Sequence, residues 1–255
     1  MGDLKISIIT QARIGSSRFP EKVLQEVNGF SMLGLHLYRL KESCYGNTIT
    51  VATTKEEKAE QIIRIAKAMD VEVYQGSTTD VLDRFYHAAS LSKINPDYIV
   101  RVTSDCPLID AKIIDEVVQM TVSNDLDYGS NVLKQEFPDG QDIEVIKYSA
   151  LEKAWNEAKL SSERDHVTPF IRKNSSFFNK TMFKAANYDA PHDFSGIRMT
   201  VDETADLDAI RLLVKQLGPN EDWKTYTKFI VENFSRFPNQ KIQRNEGYIK
   251  SLLED

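Results

Sequence analysis

The segment QARIGSSRFPEKVL, residues 11–24, packs two arginines, a lysine, two serines and a glycine into one short loop directly behind the apolar Ile6, Ile8 and Ile9. Loops are polar in general, and Gly15 and Pro20 punctuate turns. Yet backbone NH, hydroxyl and cationic groups gathered at the carboxyl end of a strand also form a nest for a polyanion, most often phosphate. Two carboxylates complement that loop: Asp105 ends the strand-like run in RVTSDCPLID, and Asp202 ends the one in RMTVDETADL. An aspartate near a proline or before a helix is commonly a turn or cap residue. A pair of them at strand ends beside an Arg/Lys/Ser loop is instead the donor set of Mg²⁺, which takes carboxylate oxygen and keeps water and phosphate as its other ligands. The chemistry implied is that of a nucleoside triphosphate with magnesium, in which metal and cationic side chains neutralise the phosphates while a nucleophile attacks in line. The loop is not a P-loop, because no second glycine precedes Lys22 and Val23 stands where Ser or Thr would bind the metal. A dinucleotide-binding GxGxxG is also absent.

These residues need a scaffold that brings distant loops together. Short β-rich runs at 6–10, 48–52, 71–74 and 98–103 alternate with longer segments, several of them of helical periodicity. That alternation predicts an α/β fold with a mostly parallel sheet. Ligands of such sheets sit beyond the carboxyl ends of the strands, so the loops after residues 10, 52, 74 and 103 are expected to face one cleft. Thr54 with Glu57, and Ser149 with Glu152, read as capping boxes, and Asp110 as the cap of AKIIDEVVQM. After about residue 130 the rhythm changes to turn-bounded, more antiparallel strands, and residues 132–196 read as a lobe inserted into a single domain spanning 1–255. Helices return at 207–217 and 223–234.

Composition narrows the function classes. The 255 residues carry a net charge of −6, so positive charge is local and a general nucleic-acid binder is disfavoured. No apolar run approaches the ~20 residues of a membrane span, no secretory core opens the chain, and two cysteines, Cys44 and Cys106, make no disulfide framework. A cytoplasmic protein without membrane or nucleic-acid partners is expected. The aromatic residues Phe177, Phe178, Phe183, Trp223, Tyr226 and Phe229 read as core or subunit interface. His36, His87 and His192 read as ordinary structural residues.

The motifs IITQARIGSSRFPEKVL, VATT, GSTTDVLDRFYHAA, RVTSDCPLID, FPDGQDIEV, ERDHVTPFI, TVDETADL and RNEGYIKSL follow in this order over nearly the whole chain. Together they resemble the cytidylyltransferases of the spore-coat polysaccharide SpsF type, relatives of the synthetases of CMP-activated octulosonate and sialic acid. The resemblance implies a Rossmann-like, GT-A-like three-layer sandwich that uses CTP and Mg²⁺ and forms a homodimer. It places Arg13, Gly15, Ser16, Ser17, Arg18 and Lys22 around the triphosphate, with Gln11 and Ala12 also among the nucleotide-binding residues. Thr53, Gly76, Ser77, Asp80, Arg84 and Thr103 fall where relatives read the nucleoside, Asp105 and Asp202 at the metal, and Arg13, Arg18, Lys22 and Asp105 among the catalytic groups. Two departures stand out: Thr103 replaces the glutamine of the octulosonate enzymes, and Glu21 stands where glycine commonly follows the proline.

For a small acidic or phosphorylated acceptor, Asp139, Asp142 and Glu144 are candidates to bind sugar hydroxyls, and Glu163, Arg164 and His166 to position the acidic group. PDG is also an ordinary turn, and Arg164 can equally pair with an acid on a helix face. Two other readings stay open here: a nucleotidyltransferase or glycosyltransferase using another nucleotide, and a non-catalytic nucleotide-sensing or scaffold protein.

Overall fold

The computed structural model describes residues 4–15, 18–242, 244, 251, 252 and 255. Its strands are β1 (Ile6–Gln11), β2 (Glu26–Val27), β3 (Phe30–Ser31), β4 (Ile49–Thr54), β5 (Glu72–Gly76), β6 (Tyr98–Thr103), β7 (Tyr128–Ser130), β8 (Glu144–Lys147) and β9 (Ala185–Asn187). The helices are α1 (Met32–Leu40), α2 (Glu60–Ala68), α3 (Val81–Ser90), α4 (Ala111–Ser123), α5 (Tyr148–Glu157), α6 (Ser161–His166), α7 (Pro169–Lys173), α8 (Thr204–Leu217) and α9 (Trp223–Glu232).

The four β-rich runs of the first hundred residues become parallel neighbours in one seven-stranded sheet of order β5-β4-β1-β6-β8-β7-β9. β1 and β4 are buried along almost their whole length, as strands covered on both faces must be. Successive side chains serve opposite layers. Ile8, Val100 and Val145 pack with α1, α2, α4, α8 and α9, whereas Ile9, Ile99 and Ile146 pack with α3, α5 and α7. The result is the expected three-layer α/β sandwich. Residues 132–196 add β8 and β9 to that same sheet and α5–α7 to one of its layers. The expected change to antiparallel pairing is present where β8 joins β6 and β7. β8 therefore begins, at Glu144, beside Arg101 near the end of β6.

Asp110 caps α4 as its position suggests, accepting from Lys112 N at 2.9 Å and also from Trp223 N at 2.9 Å. The two capping boxes do not form. Thr54 closes β4 and donates to Glu56 Oε2 at 2.7 Å, and α2 starts only at Glu60 behind a 3₁₀ turn. α5 follows β8 without a break, so Ser149 lies inside the helix and Lys147 takes the cap position. The Asn28–Gly29 pair, with φ of 47° and 90°, makes the tight turn between β2 and β3.

The Pro138–Asp139–Gly140 turn is pinned to residues 197–199: Asp139 N donates to Ile197 O at 2.9 Å and Asp139 O accepts from Met199 N at 2.7 Å. Gly140 has φ of 107°, and a Cβ there would lie 2.7 Å from the Met199 carbonyl carbon. Gly140→Ala is accordingly expected to lose about 1–3 kcal/mol in urea denaturation and to displace Asp139; a loss below a few tenths would show that the turn relaxes freely.

Candidate active site

A cavity of about 890 Å³ opens at the carboxyl ends of the parallel strands. Three of the four predicted loops reach it: the segment after β1 with Arg13, Arg18 and Lys22, the segment after β5 with Thr78 and Thr79, and the segment after β6 with Ser104, Asp105 and Cys106. The loop after β4 instead supports its neighbour, with Glu56 Oε1 lying 3.1 Å from where a Cβ on Gly15 would stand.

Backbone contacts between remote segments bring the two aspartates together. Val201 N donates to Asp105 O at 2.8 Å and Thr200 Oγ1 to the same oxygen at 3.2 Å, which sets the 200–202 segment against the end of β6. Asp202 is not spent on capping, because Glu203 caps α8 and Asp206 reaches back to the backbone NH groups of Asp202 at 2.9 Å and Glu203 at 3.0 Å. Its side chain turns to the cavity. There Lys22 Nζ lies 3.3 Å from Asp105 Oδ2 and 3.0 Å from Asp202 Oδ1, and donates to Val201 O at 2.7 Å. Arg18 Nη2 meets the same Asp202 oxygen at 2.9 Å.

Electrostatics follow from this clustering. Burial alone would raise Asp105, but Lys22 and the Thr103 hydroxyl outweigh it and hold the carboxyl down at about 2. Burial likewise pulls the Lys22 ammonium down, and the two facing carboxylates more than restore it. Asp105 and Lys22 are thus both charged near neutrality. The loop sits on a buried histidine: His36 bonds Thr10 Oγ1 through Nε2 and the Cys106 carbonyl through Nδ1, both at 2.9 Å, and burial depresses it to about 4. A neutral imidazole thus links β1 to the Asp105 loop.

Gln11, Ala12, Arg13, Arg84 and Thr103 line the cavity. On three of the lining residues a polar atom, Gln11 Oε1, Arg84 Nε or Arg101 Nε, is buried without a hydrogen-bond partner among the described residues. Burial, with the Arg13 charge, lowers Arg84 to about 10, still cationic at neutral pH. Ser16 and Ser17 lie outside the described residues. Gly15, Thr53, Gly76, Ser77 and Asp80 lie outside the lining of the cavity. Thr53 is buried within β4. Ser77 Oγ accepts from Asp80 N at 3.0 Å, and Asp80 caps α3 through Asp83 N at 2.9 Å. Gly76 gives room to Arg84, whose Cγ would be 3.0 Å from a Cβ there.

At the other end, Asp139, Asp142, Glu144 and His166 face the cavity. Asp139 pairs with Arg198 at 2.7 Å and Asp142 with Arg244 at 2.6 Å, while Glu144 is bound by Arg101, Tyr128 and Thr168. Burial and the Asp142 charge raise Asp139 above the usual range against the pull of Arg244 and Arg198. His166 is brought to about 4 by burial and by Arg101, so it enters the site as a neutral imidazole. Glu163 and Arg164 do not reach the cavity. Glu163 is buried and accepts from Lys159 N and Leu160 N at 2.9 and 3.1 Å at the start of α6. Arg164 is tied to Asp80 at 2.6 Å and to the carbonyls of Trp155 and Ala158.

Four arginines escaped the sequence reading. Arg101, Arg172, Arg198 and Arg244 all serve the acidic end; Arg101 and Arg198 carried a signal as lone cations in apolar runs, YIVRVT and GIRMTV, and Arg244 opens the terminal motif, whereas Arg172 carried none. The described residues of the terminal motif also belong here: Arg244 donates to Phe137 O at 3.2 Å besides binding Asp142, and Ser251 lines the cavity.

Known proteins are similar to this chain over most of its length. The chain is 38% identical over 233 residues to an uncharacterized protein of Methanocaldococcus jannaschii, covering 90% of this chain and 92% of that one. It is 27% identical over 223 residues to the spore coat polysaccharide biosynthesis protein SpsF of Bacillus subtilis, covering 85% and 89%. The solved structure of a cytidylyltransferase from Leptospira borgpetersenii superposes with a TM-score of 0.87 at 33% identity, over 94% of this chain and 100% of that one. The family model described as Cytidylyltransferase matches residues 7–228, a span that contains Lys22, Asp105 and Asp202, and with the shared fold it makes this chain a member of the cytidylyltransferase family.

Proposed function

We propose that the protein transfers CMP from CTP to an oxygen of an acidic sugar or a phosphorylated acceptor, releasing pyrophosphate, in the making of a surface polysaccharide or glycoconjugate precursor. One observation carries this reading beyond family membership: two carboxylates from remote segments, Asp105 and Asp202, converge on Lys22 at 3.3 and 3.0 Å, and Arg18 joins Asp202 at 2.9 Å. Two carboxylates with open access to phosphate oxygen suit Mg²⁺, which is commonly held by one or two carboxylates plus substrate phosphates. Asp105 and Asp202 would hold it, and it would add positive charge where the phosphates gather negative charge.

The chain's own groups do the rest. Lys22, Arg13 and Arg18 bind the triphosphate, and Gln11 and Arg84 offer an acceptor and a donor to the nucleoside. An acceptor oxygen attacks the α-phosphorus, the bond to the β-phosphate oxygen breaks, and pyrophosphate leaves; a hydroxyl acceptor gives its proton to water. Fixed cations neutralise the charge that builds up on the leaving group without having to reorganise. No covalent enzyme intermediate is needed.

The test has two parts. CTP with Mg²⁺ is expected to raise the melting temperature more than UTP, ATP or GTP, since a ligand at a hundred times its Kd stabilises by about 2.7 kcal/mol. A panel of acidic sugars and phosphorylated metabolites is then screened for pyrophosphate release. Preference for another nucleotide overturns the CTP assignment, and silence with every acceptor counts against transfer.

A further inference from the structure

The Lys22 ammonium sits where the two carboxylates meet. Three oxygens surround it: Val201 O at 2.7 Å, Asp202 Oδ1 at 3.0 Å and Asp105 Oδ2 at 3.3 Å. This is a small cation site, and two of its three donors are the groups assigned above to Mg²⁺. The Lys22 side chain is only 12% exposed, so its charge is poorly screened by solvent. Arg18 shares the Asp202 oxygen but from a side chain 38% exposed, where water weakens its field. A bare divalent cation approaching the aspartates must therefore either drive the ammonium off three oxygens or lie beside it, and like charges a few ångströms apart repel strongly outside bulk water. A triphosphate changes both sides of that balance. Its oxygens offer the ammonium new acceptors, and they complete the oxygen shell of the metal.

Resting on the proposed metal assignment, we infer that Lys22 is an internal counter-cation that keeps the Asp105–Asp202 pair from taking up free divalent metal and releases the pair to the metal only as nucleotide arrives. Metal and nucleotide then bind as a coupled pair, and the coupling is reciprocal: each raises the affinity for the other by the same factor. Lys22 carries part of that coupling by changing partners, from carboxylate to phosphate, while the total charge of the site stays matched.

The probe is Mn²⁺ binding to the full chain, read from the electron paramagnetic resonance signal of the free ion with and without CTP. Lys22→Met is expected to bind Mn²⁺ in the absence of nucleotide about tenfold or more tightly than the wild type, and to show a smaller gain on adding CTP. Equal or weaker nucleotide-free binding by Lys22→Met overturns the proposal. Should that variant fail to fold, the wild type supplies the measurement: the ¹⁵N signal of the Lys22 ammonium is expected to stay in place with Mg²⁺ alone and to move with Mg²⁺ and CTP together. Movement with Mg²⁺ alone overturns it. Asp105→Asn and Asp202→Asn separate the two layers. If both keep full Mn²⁺ affinity with CTP, the metal assignment falls and the exchange with it; if both lose it while Lys22→Met gains nothing, only the exchange falls.

Discussion

Asp105→Asn lowers pyrophosphate release by about 10²- to 10³-fold or more, with the fold retained, in the result expected from the geometry of the site. The substitution removes one charge and leaves the shape almost unchanged. The loop keeps its place because it is held by main-chain groups, with Asp105 O accepting from Val201 N and Thr200 Oγ1 and the Cys106 carbonyl resting on His36. Lys22 keeps Asp202 and Val201 as partners. Steady-state rates on the acceptor that supports the wild type, with thermal melts of both proteins, form the measurement. A rate within a factor of about three of the wild type removes Asp105 from the reaction. The same residue carries a pH signature. Its folded carboxyl titrates at about 2, below the value near 4 of an unfolded aspartate, so the stability it carries is present above pH 4 and is lost as the pH falls towards 2.

The largest effect on stability is expected at Arg198. This guanidinium is 5% exposed and binds Asp206 at 2.8 Å, Asp139 at 2.7 Å and Asp202 at 3.4 Å. Asp206 is wholly buried, and Asn239 adds a donor to it at 3.1 Å. Arg198→Met fills similar space but strands the buried Asp206 without its cation, while Asp139 keeps Arg244 and Asp202 keeps Lys22 and Arg18. Breaking one partner of a buried ionic network costs about 3–5 kcal/mol, read as the shift of the urea midpoint. Asp206→Asn in the same chain is expected to recover part of the loss, because it removes the stranded charge. A single-variant loss below about 1 kcal/mol would mean that water reaches Asp206 and solvates it.

The parallel half of the sheet was legible because strands covered on both faces are written as short runs of Ile, Val and Thr, and such a sheet orients its loops by rule. Asp105 and Asp202 were legible for the same reason, since each sits where a strand-like run stops, and Lys22 was legible in the cationic loop behind the first such run. What failed was local chemistry that tertiary contacts overrode. Thr54 followed by Glu57 spells a cap, but a threonine that ends a strand has its hydroxyl in use before the helix starts. Glu163 and Arg164 read as sugar-site residues and Asp80 as a nucleoside contact, and the structure uses them to close a helix start and to fasten α6 to α3. Glu21 does hold the left-handed conformation, φ 56°, that a glycine usually takes, so the departure from the family pattern is tolerated at the cost of a strained residue whose carboxylate pairs with Lys58. The arginines at the acidic end come from four separate segments, and no spacing in the chain announces that they meet.

The reversal of direction between β6 and β8 has a consequence for how such a protein can diversify. The walls of the cavity are owned by different stretches of chain: one by segments that leave β1, β5 and β6, the other by the approach to β8 and the helices behind it. Mutations accumulating in the second stretch alter what is admitted there while leaving the Lys22 side intact. On the proposed assignment of the two walls, inheritance can thus conserve the donor of the reaction and experiment with its recipient, one flank of the sheet at a time.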